Sequence, residues 1–481
     1  MNLDTFDVVV IGAGGAGLAA AVSAAQSGAQ VLVLEALPTL RGTTSWAVGS
    51  FAAAGTRVQQ RAGVKDTAAD FAEDIAKTHD KAAEPGNLRH LLAQEAGPTV
   101  DWLEELGMVF VGPYPEPPNR VPRMHNVLPA GFAYLDTLRD AAQALGVVIR
   151  FECRARNLDL DAGRATVVGY QKGGSEFKVT ARRAVILASG DFSGSASLRA
   201  THLSEEAARA IPINPHNHGD GHVMAMKLGA VGLAMDAIFG PQLRFQAPAG
   251  RPWFHRLPRW HWLRLMTAAF VSRAPRALVA PLVKQLLVAH MSPSDALMGA
   301  GAILINREGE RVSSSSTLSN ACARGLALQP EGRGFIVGDA ALAKQFSSYP
   351  SFISTAPGIA YAYFKDYERG RPDLVHWAES LEALARRLEI DPAVLRRAAP
   401  DLHGRCFALG PIYAMLTVTE GGLGIDTRCR VLDNTSRPIP GLYAAGGVGQ
   451  GGLLLKGHGL HIAWSLSTGR ISGIHAAADR R

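Results

Sequence analysis

The sequence predicts an α/β fold built around a parallel sheet, and three observations carry the prediction. The first residues read strand, glycine turn, helix, strand. Motifs of the strand–glycine–helix kind occur elsewhere only at the opposite end of the chain. Between the two ends the pattern is helix-rich and irregular, without internal repeats.

The opening motif is "DVVVIGAGGAGLAAAVSAAQSGAQVLVLEA" (7–36). A buried strand is expected over 8–11, a small-residue helix over 19–27 ended by Gly28, and a second strand over 31–34. Gly12, Gly14 and Gly17, with Gly15 and Ala16 between them, form a GxGxxG turn. Such glycines let the backbone approach a pyrophosphate, the helix start attracts its charge, and an acid after the second strand accepts ribose hydroxyls. Glu35, followed by Ala36, is that acid. A lone GxGxxG is weak, but here strand, helix, second strand and acid are in register, so a dinucleotide site is expected.

Size and composition bound the rest. The 481 residues suffice for two or three domains, and 47% hydrophobic with 19% charged content excludes a disordered chain. A net charge of +7 permits anionic partners without demanding nucleic acid, and none is expected. Cys153, Cys322, Cys406 and Cys429 are scattered, so reduced thiols and no metal site are expected. The N-terminus lacks a basic signal-peptide region and no apolar run reaches membrane-spanning length, which makes the expected location cytoplasmic.

The stretch beyond Glu35 selects the cofactor. "LRGTTSWAVGSFAAAGT" continues with small and hydroxyl residues, and the chain resembles the flavoprotein family of fumarate reductase and succinate dehydrogenase, which includes the 3-ketosteroid dehydrogenases. The family's early loop matches Gly42, Thr43, Thr44, Ala47, Gly49 and Ser50. "VILASGDFSGS" matches its later strand and turn through Ser189 and Gly190, and "HGDGHVMAMKLGA" its next segment through Asp220. "GAILINREGER" and "GGLGIDTRCRVLDNTSRPIPGLYAAGGV" come next, in the family's order. The resemblance implies FAD, with Ala155, Tyr443, Gly446, Gly447, Ser465 and Leu466 as further contacts. Some relatives tether FAD through a histidine where Thr43 stands, so non-covalent FAD is implied here. It also implies a Rossmann-like FAD-binding domain split in sequence (1–236 and 419–481) around an inserted α+β cap (237–418). Within the cap, 374–399 reads as a helical pair broken at Pro392, while "DTAADFAEDIAKT" and "PTVDWLEELG" read as amphipathic helices. No second dinucleotide fingerprint occurs, so an external electron acceptor is expected.

The family's dicarboxylate clamp is largely missing. Ser319 stands at the place of its acid arginine, Val418 at a histidine, Gly240-Pro241 at another, and Lys456 at the last arginine. A small dicarboxylate would leave charges unpaired, so the expected substrate is an apolar, cyclic ketone, steroid-like or smaller.

"GGLLLKGHGLHIAW" (451–464) supplies the expected catalytic group. Gly459 matches the ketosteroid dehydrogenase glycine whose N–H binds the substrate oxygen, and it precedes a helix expected over 462–467. Lys456 is expected to add positive charge and His458 to carry protons, while His461 is read as packing or capping. Arg123, His125 and Tyr134 form a second candidate cluster, and Tyr413 is a third candidate; the alternative for each is a structural role. The expected reaction is dehydrogenation next to the carbonyl, with hydride passing to the flavin. An enone or enoate reductase with an external donor is the alternative, and a non-catalytic flavin-binding module is a third reading.

The interval between Asp236 and Asp295 contains no acidic residue but eight basic ones, and three of the chain's seven tryptophans (Trp253, Trp260, Trp262). Arginine and tryptophan together suit a bilayer interface. The segment 250–290 therefore reads either as an inward-packed cap or oligomer interface, or as peripheral contact with the inner face of a membrane.

Overall fold

A computed structural model describes residues 4–78, 87–246, 248, 261–274, 284, 287–288, 292–356 and 360–480. The chain forms a mixed α/β structure. Apart from the helix His261–Arg273 and a few single residues, the 250–290 segment lies outside the described residues, including Trp253 and Trp260.

The principal sheet has Asp4–Ile11 near its middle, in parallel register with Val31–Leu34 on one side and Ser175–Leu187 on the other. Pro438–Ala444, from the C-terminal part, pairs in parallel with Ser175–Leu187 and so completes the same sheet. Val8, Val9, Val10, Leu32 and Val33 are fully buried, as a strand covered on both faces requires.

The N- and C-terminal helices join face to face. Gly15–Gln26 is rich in alanine, and Leu460–Ala478 meets it through Gly469 and Gly473, where an added Cβ would strike the backbone oxygens of Ala16 and Ala20. The absent side chains let two backbones approach, so the packing is a matter of close contact rather than large apolar residues. The first helix starts at Gly15 rather than at 19, and the last runs to Ala478 rather than to 467.

A second sheet is centred on Cys406–Leu416, which pairs with Arg333–Asp339, Gln242–Phe245, Val375–Ala378 and Ile211–Pro212. Val375–Ala378 corrects the helical reading of 374–399: only Leu381–Arg387 and Pro392–Ala398 are helices. The run LVHWA has bulky β-formers but is too short for periodicity to separate strand from helix, and pairing with Cys406–Leu416 decides it. The chain passes out to this sheet and back through two antiparallel linker pairs, Gly232–Leu233 with Gly422–Leu423 and Ile238–Phe239 with Val418–Thr419. A small third sheet, Ser50–Ala52, Met124–Val127 and Phe110–Tyr114, roofs the space between the two larger ones.

Candidate active site

A cavity of about 810 Å³ runs from the glycine turn to the inner strands of the second sheet. At one end the helix Gly15–Gln26 opens with Gly14 as its N-cap, no capping side chain and no acid in its first turn. Its first N–H groups are therefore free to meet an anion. Glu35 ends the second strand. Its Oε2 accepts the N–H of Ala13 at 2.7 Å and its Oε1 that of Leu37 at 2.9 Å, which fixes the carboxylate at the cavity edge. Burial raises its pKa, and these N–H bonds oppose the shift. Gly42 lies against Gly14, where a Cβ on Gly42 would come within 2.7 Å of the Gly14 Cα.

Nineteen of the twenty-two expected cofactor contacts line this cavity; Gly17, Tyr443 and Leu466 do not. Gly17 packs the helix onto the carbonyl of Gly12, Tyr443 donates its hydroxyl to Asp479 at 2.9 Å, and Leu466 lies by Gly15 inside the helix pair. They shape the site from behind. The Oγ1 of Thr43 accepts from the amides of Asn214 and Asn217, both at 3.0 Å. Asp220 lines the cavity and is held by Arg154, with Nε–Oδ2 at 2.8 Å and Nη2–Oδ1 at 3.0 Å.

The other end is mainly apolar, walled by Val111, Met124, Val127, Phe239, Phe245 and Met415. Here the helix Leu460–Ala478 begins at Gly459, again without a side-chain cap or an acid in its first turn. Two histidine–carboxylate pairs flank this start. His458 Nδ1 lies 2.8 Å from Glu116 Oε1, and His461 Nε2 lies 3.2 Å from Glu420 Oε1. The hydrogen bond to Glu116 raises the His458 pKa against the opposing pull of burial. Arg244 also lines this end and donates to Gln242 Oε1 at 3.0 Å.

Several expected catalytic residues lie elsewhere. Lys456 is exposed and does not line the cavity, because the backbone on either side of it turns Leu455 inward and the lysine outward. Arg123 is fully buried, with Nε and Nη2 on Asp66 at 2.6 and 2.7 Å and Nη1 on Asp74. His125 is held between Thr56 Oγ1 at 2.8 Å and the carbonyl of Phe51, and burial lowers its pKa to about 4. Tyr134 donates to the carbonyl of Gly49 at 2.9 Å and burial raises its pKa. Tyr413 sits in strand register with Arg244 and Arg333, off the cavity. These five are withdrawn as catalytic groups; Arg123, His125 and Tyr134 instead brace the roof. His458 and Gly459 remain at the cavity, Glu116 and Arg244 join them unforeseen, and Glu420 stands behind His461, off the lining. A buried acid in the otherwise apolar return "TVTEGGLGI" was the available signal for Glu420; Glu116, among the prolines of "PYPEPPNR", offered none.

The cavity thus begins at a dinucleotide cradle and ends between two histidine–carboxylate pairs. The FAD binding domain family matches residues 7–249 and 255–454, and the chain belongs to it. It is an FAD-dependent oxidoreductase of the class acting on CH–CH groups. It is 25% identical over 505 residues to the probable fumarate reductase Ifc3 of Shewanella frigidimarina, covering 98% of this chain and 75% of that one. It is 28% identical over 481 residues to the urocanate reductase of Eggerthella lenta, covering 92% and 69%. The 3-ketosteroid delta1-dehydrogenase of Sterolibacterium denitrificans, solved with 1,4-androstadiene-3,17-dione, shares the fold with a TM-score of 0.69 at 18% identity, covering 99% of this chain and 100% of that one.

The glycine cradle, the Glu35 carboxylate and the open helix start suit the pyrophosphate and ribose of FAD. Thr43, which has no nucleophilic imidazole, predicts a dissociable cofactor. Acid precipitation should release all the yellow colour into the supernatant; flavin remaining in the pellet would contradict this.

Proposed function

We propose that this protein interconverts the C–C and C=C bond beside a carbonyl on a largely apolar substrate, running as a reduction of enones or enoates fed by an external electron carrier. The observation that carries the reading is the uncapped start of Leu460–Ala478, opening at Gly459 into an apolar pocket beside a histidine biased toward its protonated form. The curated relatives, named as fumarate and urocanate reductases, favour the direction. FAD, when bound, would supply the hydride donor or acceptor for the β-carbon. The protein's own contribution is to hold the carbonyl oxygen at the Gly459 helix start, where N–H groups stabilise the negative charge that develops. His458, charged through Glu116, adds a second donor to that oxygen, and the apolar walls exclude water, which strengthens both. Dehydrogenation of an apolar cyclic ketone uses the same groups in reverse, and the loss of the family's carboxylate clamps favours that second reading.

Anaerobic mixing with a panel of enones, enoates and saturated ketones tests both. Reoxidation of dithionite-reduced flavin by an enone or enoate supports reduction, bleaching of oxidised flavin by a ketone supports dehydrogenation, and inertness to all of them refutes the reading. The active form requires protonated His458, whose pKa is raised. The rate should therefore persist above the ordinary imidazole pKa, near 6.5, and fall as pH rises through the elevated value. Glu116→Gln should move that limb to lower pH.

The same reading includes an anionic bilayer as the surface from which the substrate arrives. Its support is the helix His261–Arg273. Thr267 and Val271 line the cavity, whereas Trp262, Leu265, Met266 and Phe270 are 54, 49, 62 and 54% exposed on the other side. Among the described residues no helix is long and apolar enough to cross a membrane, so contact would be peripheral. The protein should float with anionic liposomes, less so at high salt, and a Met266→Glu, Phe270→Glu variant should stay at the bottom. A protein that sediments at low salt ends this part of the proposal.

A further inference from the structure

We propose that His461, oriented by Glu420, carries the proton at the α-carbon of the substrate. The inference rests on the proposed reaction, which places a C–C bond beside a carbonyl in this cavity.

Glu420 is fully buried. Its Oε1 accepts the N–H of Leu455 at 2.6 Å and faces His461 Nε2 at 3.2 Å, while its Oε2 has no hydrogen-bond partner among the described residues. An ionised carboxylate only accepts hydrogen bonds, so the imidazole hydrogen belongs on Nε2 and Nδ1 is left as the basic nitrogen. The ring, 27% exposed, lines the cavity. Its other neighbour is Phe239, with ring centroids 5.5 Å apart.

Glu420 and Phe239 come from the two linkers that pair as Phe239 with Val418 and Ile238 with Thr419. The imidazole is thus gripped by both chain crossings, a rigid mounting for a group whose reach matters. When Nδ1 accepts a proton, the positive charge forms beside a buried carboxylate with one idle oxygen, which stabilises it. His458 is differently built: it is 57% exposed and already biased toward the cation, which suits a donor to oxygen better than a base.

In dehydrogenation the α-C–H bond breaks, its proton goes to Nδ1 and its electron pair becomes the second C–C bond, as the β-carbon gives up its hydride to the cofactor. In reduction Nδ1 returns the proton to the α-carbon, and dithionite supplies the electrons in the assay. His461 is the proton carrier and Glu420 a positioning residue.

The first test needs no substrate. In the ¹⁵N-histidine-labelled holoprotein, the signals lost in His461→Gln identify this ring. It should carry its hydrogen on Nε2, and Glu420→Gln should mix the tautomers. A hydrogen on Nδ1 with Nε2 bare overturns the proposal. The second test uses whichever compound of the panel reacts. His461→Gln should slow both turnover and wash-out of α-deuterium from the saturated compound by about 10²–10³-fold, and Glu420→Gln by about 10-fold, with FAD retained in both. Wild-type wash-out in His461→Gln overturns the proposal and leaves the reading of the reaction standing. A wild-type protein inert to the whole panel overturns that reading itself.

Discussion

Gly459→Ala should lower turnover by about 10²–10³-fold while FAD binding survives. Gly459 has φ +78° as the N-cap of the last helix, and a Cβ there would lie 2.7 Å from the backbone N of Ala52 and 3.1 Å from Phe51 C and Met124 Sδ. Alanine pays about 1–2 kcal/mol for the left-handed backbone. The contact with Ala52 is worse, because it is with backbone in the strand Ser50–Ala52 and not with a side chain able to turn away. The helix start must shift, and the N–H groups proposed to face the substrate oxygen shift with it. Loss of one such donor is worth about 10²–10³ in rate. Gly12, Gly14 and Glu35, at the other end of the cavity, are untouched, so flavin content should stay near that of the wild type. Stopped-flow reoxidation by the reactive enone measures the rate, and a Gly459→Ala protein as fast as the wild type would show that this helix start does not serve the oxygen.

The second large effect is on stability. Arg123→Met should destabilise the protein by about 3–5 kcal/mol, because it leaves the buried Asp66 carboxylate without its cation and takes from Asp74 the one partner that is fully buried with it, Lys77 and Arg120 remaining. Arg123 and Asp74 are fully buried and the Asp66 side chain is 1% exposed. Burial would raise the Asp74 pKa, but the Arg120 N–H and the Lys77, Arg123 and Arg120 side chains outweigh it and hold the group well below the ordinary value. A depressed carboxylate pKa contributes stability above the unfolded value, near 3.9, and loses it as pH falls toward the folded one. The wild type should therefore weaken in acid partly through this cluster, and the variant should weaken less steeply there. Urea unfolding at neutral and acidic pH measures both; a loss under about 1 kcal/mol at neutral pH would mean that the cluster relaxes to admit water.

The cofactor cradle was legible because it is a local device. Its glycines, helix and acid lie within thirty residues, each dictated by close approach to a phosphate or by a helix end. Sequence order alone therefore groups Gly12, Gly14, Gly15 and Glu35, which the structure brings to one end of the cavity. The helix pair at the two termini was half legible: small residues at Gly469 and Gly473 are visible, but which backbone they admit is known only once Ala16 and Ala20 lie opposite.

The polar groups at the far end of the cavity were read less well, and for a definite reason. "LLLKGHGLHIAW" offers Lys456, His458 and His461 with no period to rank them. The turn at Gly457 and Gly459 decides which side chains face inward, and it does so through contacts with Ala52 and Met124, more than three hundred residues away in sequence. Charge alone favoured Lys456, which points outward, while His461, read as packing, faces the cavity. Likewise Arg123 and His125 look like a substrate clamp until Asp66, Asp74 and Thr56 close around them.

The sequence by itself determined the α/β class, the family and the glycine turn with its following acid, Glu35. Only the tertiary structure decided which polar side chains meet the cavity, because Glu116, Arg244 and His461, with Glu420 behind His461, come from four separate stretches of chain and acquire a shared environment solely through the packing of two sheets and the paired linkers between them.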